Sequence, residues 1–269
     1  MSYNSFSAIR IEVENRISVL TIDHAPINLL DSVLISELNS AAKTLAADEE
    51  VRVVVVQSAD PEFFIAHADV NDVQEIAGRS LDEDPASSPV HEMTERFRTM
   101  AKPTIAKIRG VARGGGLEML AGVDMRFCSI ERTTLAQPEL TLGVIPGGGG
   151  ASRWPSLIGY ARAMELMIGC FDFDGAAAEK YGLVNRALPD SELDDFVDEL
   201  ARRIASFTPA AVAMIKNIGQ LESPIEERLA VEHRSFLEIA RHPKAMKVMK
   251  AFMDAGGQTR EFELQSSLK

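Results

Sequence analysis

Two glutamates and two glycine clusters are the residues of this 269-residue chain best placed to do chemistry together. Glu118 closes the run Gly110-Val111-Ala112-Arg113-Gly114-Gly115-Gly116-Leu117-Glu118, and Glu139 closes Ala136-Gln137-Pro138-Glu139, ahead of a second cluster at Gly147–Gly150. A glycine turn that opens a helix exposes free backbone N–H groups and a positive partial charge, with no side chain to keep a substrate oxygen away. That arrangement suits an oxyanion hole, and it equally suits a plain tight turn. Two carboxylates beside such a site can divide acid and base duties over one water molecule. Either glutamate alone is also what a solvated surface carboxylate looks like.

The glycines do not match a nucleotide site. A phosphate loop needs Gly-Lys-Ser/Thr, and the chain has no Gly-Lys pair. The dinucleotide fingerprint needs a glycine at its sixth position, where the two clusters carry Met119 and Ser152.

The elements that must position these residues are legible in outline. Ile9–Val13 and Ile17–Ile22 alternate and predict a hairpin turning at Glu14-Asn15. Asp31 caps a helix with Leu34, Leu38, Ala41 and Leu45 on one face. Val53–Gln57 reads as a buried strand and Phe63–Ile65 as a short one. Gly78–Val90, with its acids, prolines and serines, reads as a mobile surface loop. A helix over His91–Met100 and strands at Thr104–Ile108 and Met125–Ser129 follow, then helices near 151–158 and 160–169 and a short one capped by Asp174. Strand, strand, glycine turn and helix recur, which hints at a spiral of β-β-α units. From Asp190 onward only helices are evident. One has Leu193, Phe196, Val197, Leu200 and Ile204 on one face, and others start at Thr208-Pro209 and Ser223-Pro224.

A net charge of −12 argues against nucleic acid and anionic membrane surfaces as partners. No apolar run is long enough to span a membrane. Residues 1–17 lack the apolar region of a signal peptide, so a cytoplasmic location is expected. Cys128 and Cys170 are too few for a disulfide framework or a structural zinc site, and no metal is expected.

Three blocks resemble the crotonase superfamily, the enoyl-CoA hydratase/isomerase family. They are Phe63-Phe64-Ile65-Ala66-His67-Ala68-Asp69-Val70, the Gly110–Glu118 run, and Ala136–Glu139 continued by Leu142-Gly143-Val144-Ile145-Pro146 and the second glycine cluster. The resemblance implies an α/β fold, the crotonase/ClpP-like ββα spiral, over residues 1–190. It implies an all-helical region, 191–269, for trimerisation and cover of the CoA site, with trimers often paired into hexamers. It assigns the backbone N–H groups of Ala68 and Gly115 to an oxyanion hole for an acyl-CoA thioester, and Glu118 and Glu139 to catalysis. Ala66, His67, Asp69, Val70, Gly114, Pro138 and Gly147 would contact the substrate. No cofactor is implied beyond the coenzyme A of the substrate. Retention of both glutamates favours a carbon–oxygen lyase that hydrates 2-enoyl-CoA esters. Isomerisation, thioester hydrolysis and a non-catalytic acyl-CoA-binding oligomer are the alternatives.

Three positions depart from the family pattern. His67 stands where the family has glycine, a placement that threatens the Ala68 turn. Arg113 stands where the family has a small or apolar residue, with Glu118 or a substrate anion among its expected partners. Ala255-Gly256-Gly257 replaces a basic segment.

Overall fold

The computed structural model describes residues 3, 5–77, 88–255, 258 and 262. It divides into two compact units, Met1–Ser206 and Phe207–Lys269.

The first unit begins with the hairpin β1 (Ile9–Glu14) and β2 (Ile17–Ile22). Asn15 and Arg16 both take positive φ, as the tightest two-residue hairpin turn requires. Helix α1 (Ser32–Ala47) starts where the Asp31 carboxylate accepts from the Leu34 N–H at 2.8 Å, and buries the predicted Leu34, Leu38, Ala41 and Leu45. Then strands leave in pairs. β3 (Val53–Ser58) and β4 (Phe63–Ile65) precede α2 (Val70–Ala77) and α3 (Pro89–Thr99). β5 (Thr104–Ile108) and β6 (Val111–Arg113) precede α4 (Gly115–Leu120). β7 (Met125–Ser129) and β8 (Thr134–Ala136) precede a 3-10 turn (Glu139–Leu142), α5 (Gly150–Ile158) and α6 (Tyr160–Gly169). β9 (Phe173–Asp174), α7 (Gly175–Tyr181), β10 (Arg186–Leu188) and α8 (Asp190–Ser206) complete the unit.

Each pair splits between two sheets. The first member joins a six-stranded sheet ordered β1-β2-β3-β5-β7-β10, and the second joins a four-stranded sheet ordered β4-β6-β8-β9. Within each sheet the successive members β3-β5-β7 and β4-β6-β8 run parallel. This is the ββα spiral.

Strand periodicity explains the continuous apolar run of β3, because alternate residues point to opposite faces. Val54 and Val56 enter the large core with Ala106, Ile108 and Trp154. Val53 and Val55 enter a second core with Ile105, Phe127 and the α8 face Leu193, Val197, Ala201 and Ala205. Thus α8 seals the far face of the large sheet. The compact division falls after Ser206, so α8 counts with the sheet it covers.

Two local expectations change. Pro89 and Val90, read as loop, open α3, whose N-cap Ser88 accepts from the His91 N–H; residues 78–87 of that loop lie outside the described residues. In the second unit α9 (Pro209–Gly219), α10 (Ile225–Ala240) and α11 (Pro243–Asp254) follow one another, and α10 packs against both others. Pro224 and not Ser223 is the N-cap of α10, and Thr208 makes no side-chain cap bond.

Candidate active site

The spiral brings the chemistry-bearing residues to one place. Gly114 adopts φ 50°, its N–H donates to the Ala136 carbonyl at 3.0 Å, and the chain turns there from β6 into α4. A Cβ on Gly114 would stand 2.9 Å from the Glu139 carboxylate, so the absent side chain is what lets Glu139 approach. One residue on, a Cβ on Gly115 would lie 3.2 Å from the Ala68 Cβ and 3.5 Å from the Ala68 nitrogen. Ala68 is held by a parallel bridge to Leu30: the His67 carbonyl accepts from Leu30 N–H at 2.9 Å and Asp69 N–H donates to the Leu30 carbonyl at 3.2 Å. Neighbouring amides alternate in direction along an extended segment, so the Ala68 N–H points away from Leu30. Gly115, as the first residue of α4, has an N–H with no partner inside the helix.

His67 is not among the described residues with positive φ, so its backbone carries no left-handed strain. Its imidazole is exposed and its Nδ1 lies 2.8 Å from the Ala68 carbonyl oxygen.

Glu118 is only 3% exposed. Its Oε1 accepts from the Gly148 and Gly150 N–H groups, both at 2.8 Å. Burial pushes its pKa up to about 7; the two backbone bonds and Arg153 pull it down, while the Glu139 charge adds to the rise. Glu139, half-buried at the start of the 3-10 turn, is also raised, chiefly by burial. Its Oε1 accepts from Gln137 Nε2 at 2.7 Å, whereas its Oε2 is buried and without a partner. A buried carboxyl oxygen with no donor favours the protonated acid, which can donate to a reacting group.

What holds Glu139 is not legible in the sequence. The fully buried Gln137 turns its carbonyl to Trp154 Nε1 at 3.1 Å and its amide nitrogen to Glu139. Trp154 packs in the core, and its N–H also sets the orientation of this amide. The pairing joins residues far apart in sequence, and only the polar tip of the sole tryptophan hints at it.

The remaining predicted contact residues are spread out. Ala66 is buried against β6, its carbonyl accepting from Arg113 N–H at 3.3 Å. Asp69 bonds to the Asn71 N–H and side chain at the entrance of α2, which Val70 begins. The Pro138 carbonyl accepts from Thr141 at the 3-10 turn, and Gly147 is exposed. Arg113 pairs with neither Glu118 nor an open site: its guanidinium forks onto Asp172 at 2.8 and 2.6 Å. Among the described residues no group of His, Cys, Asp and Glu could hold a metal ion, and no helix is long and apolar enough to cross a membrane.

The model of the enoyl-CoA hydratase/isomerase family matches residues 12–261. A short-chain-enoyl-CoA hydratase of Clostridium acetobutylicum is 31% identical over 91% of this chain and 94% of its own. A carnitinyl-CoA dehydratase of Salmonella enteritidis is 32% identical over 77% of this chain and 79% of its own. The crystal structure of an enoyl-CoA hydratase from Bacillus anthracis superposes with a TM-score of 0.84 at 27% identity, covering 93% of this chain and 97% of that one. The chain belongs to the enoyl-CoA hydratase/isomerase family, and an acyl-CoA thioester is the substrate class that membership implies.

Proposed function

We propose that the chain is an enoyl-CoA hydratase, adding water across the 2,3 double bond of a 2-enoyl-CoA thioester. The observation that carries this reading is the pair of carboxylates. Both are raised and mutually close, one is gripped by backbone donors, and the other keeps an unpartnered oxygen. In this reading the thioester oxygen sits between the Ala68 and Gly115 N–H groups. Glu118, as its carboxylate, takes a proton from water while the hydroxide oxygen bonds to C3. The π electrons move toward the thioester oxygen, whose growing charge the two amides stabilise more than the ground-state carbonyl. Glu139 then delivers its proton to C2 from Oε2. Proton exchange between the acids and solvent resets the pair.

Gly114 and the Ala66–Val70 segment would line the thioester, and Pro138 and Gly147 would flank Glu139 and the second glycine turn. The C-terminal unit would assemble three copies, and the protein would work in the cytoplasm without a metal or redox cofactor.

The test is the absorbance of a conjugated 2-enoyl-CoA. Hydration removes it without release of free thiol, whereas hydrolysis releases thiol, and a 3-enoyl-CoA reports isomerisation. Glu118→Gln and Glu139→Gln are each expected to cut turnover by roughly 10²–10⁴-fold. Wild-type-like turnover in both variants would remove the reading.

A further inference from the structure

Glu118 is held by backbone, and that backbone is itself held by an ion pair outside the chemistry above. Arg153 lies on the first turn of α5 with its side chain 17% exposed. Its guanidinium fills the space beside Gly149, where a Cβ would lie 1.8 Å from Nη1. From there Nη1 donates to the Gly148 carbonyl at 3.2 Å, and Nη2 donates to Glu95 on α3 at 2.6 Å. Arg98 forks onto the same Glu95 at 2.9 and 2.7 Å, so the carboxylate is fixed from its own helix as well. Gly148 therefore accepts from Arg153 at its carbonyl and donates to Glu118 Oε1 at its amide.

We propose that Glu95 and Arg153 are positioning residues of the site: they pin the Gly148 turn from α3, and through it aim the Glu118 carboxylate. The inference rests on the hydratase reading for its kinetic consequence, though not for its structural one. Among the described residues two charged groups act on Glu118, Glu139 from the 3-10 turn and Arg153 from α5; Val90 of α3, which also approaches Gly148, is apolar. The Arg153 cation opposes the burial and Glu139 effects, keeping Glu118 ionisable near neutrality.

The test uses the full chain with Arg153→Met, Arg153→Lys, Glu95→Gln and the Arg153→Met/Glu95→Gln pair, each checked by thermal melting. Arg153→Met is expected to lower kcat by roughly 10–100-fold with little change in KM. It also shifts the acid limb of the pH–rate profile upward, because it removes a cation and loosens two donors. Arg153→Lys keeps the limb near its wild-type position but not the kcat, since an ammonium cannot fork between a carbonyl and a carboxylate. Glu95→Gln lowers kcat alone and adds nothing beside Arg153→Met. An unmoved acid limb in Arg153→Met, or additive losses in the pair, overturns the proposal. If Arg153→Met does not fold, a wild-type kcat in Glu95→Gln does the same. A second readout needs no turnover: the carbon-13 shift of the Glu118 carboxyl, assigned by its loss in Glu118→Gln, is expected to titrate higher in Arg153→Met or, where that variant does not fold, to change its midpoint in Glu95→Gln. Absence of any hydration by the wild-type chain would count against the hydratase reading, leaving this titration to judge the clamp. An unchanged midpoint would overturn it.

Discussion

Glu118 titrates at about 7 in the folded chain and in the ordinary carboxylate range once unfolded. Between those values the folded state holds a proton that the unfolded state has lost. Stability therefore falls as pH rises through this window, and above about 7 the full cost, on the order of 3 kcal/mol, is present. Glu118→Gln is thus expected to melt at a higher temperature than the parent near pH 8, with the gap closing toward pH 4.5. A gap independent of pH in calorimetry would contradict the burial of an ionisable carboxyl. Gln137 belongs to the same scale. Gln137→Met removes the donor to Glu139 Oε1 and strands the Trp154 N–H. Turnover should fall about tenfold or more from lost orientation, and stability by about 1–3 kcal/mol from the unpaired buried donor. Steady-state kinetics and urea unfolding check the two effects separately. Both glutamates were legible in the chain because their glycine context is local. The Gln137–Trp154 bond and the Arg113–Asp172 fork were not, because each joins residues far apart in sequence whose side chains carry no spacing signal.

The elements were legible where hydrophobic periodicity ran long. The hairpin, α1 and its Asp31 cap, the strands β3, β5 and β7, and α5 to α8 all stand close to where the pattern put them. Of the three-residue strands, β4 was read from its apolar Phe63-Phe64-Ile65 run, whereas β6, β8 and β10 were missed, because so short a run has no measurable period and pairing alone defines it. Close packing between elements supplies a prediction here. A Cβ on Gly116 would meet the Ile65 carbonyl oxygen at 2.4 Å, so α4 sits against β4 only because that side chain is missing. Gly116→Ala should cost about 1–3 kcal/mol or more in denaturant midpoint, despite alanine's better helix propensity. Leu193 makes the complementary case for α8. It is fully buried against Val53, Val55, Ile105 and Phe127, and Leu193→Ala should cost about 2–5 kcal/mol in urea unfolding. A loss below that range would mean that α8 is not the cover of the large sheet.

For the whole molecule, the proposed division of labour predicts a pH profile. With Glu118 as base, kcat/KM should rise with pH through about 7, and Glu118→Gln should abolish that limb. A flat profile from pH 6 to 8 in the wild-type chain would show that Glu118 ionisation does not limit the reaction. The amino-acid sequence by itself determined the longer strands β3, β5 and β7, the two glycine turns, the two acids beside them and the family to which they belong, because each is written in residues adjacent along the chain. Tertiary structure alone decided which donors grip each acid, that α8 belongs with the sheet, that His67 sits without left-handed strain and that Arg113 turns to Asp172. Those outcomes depend on burial and on contacts between remote segments, and both exist only once the two sheets have closed around their cores.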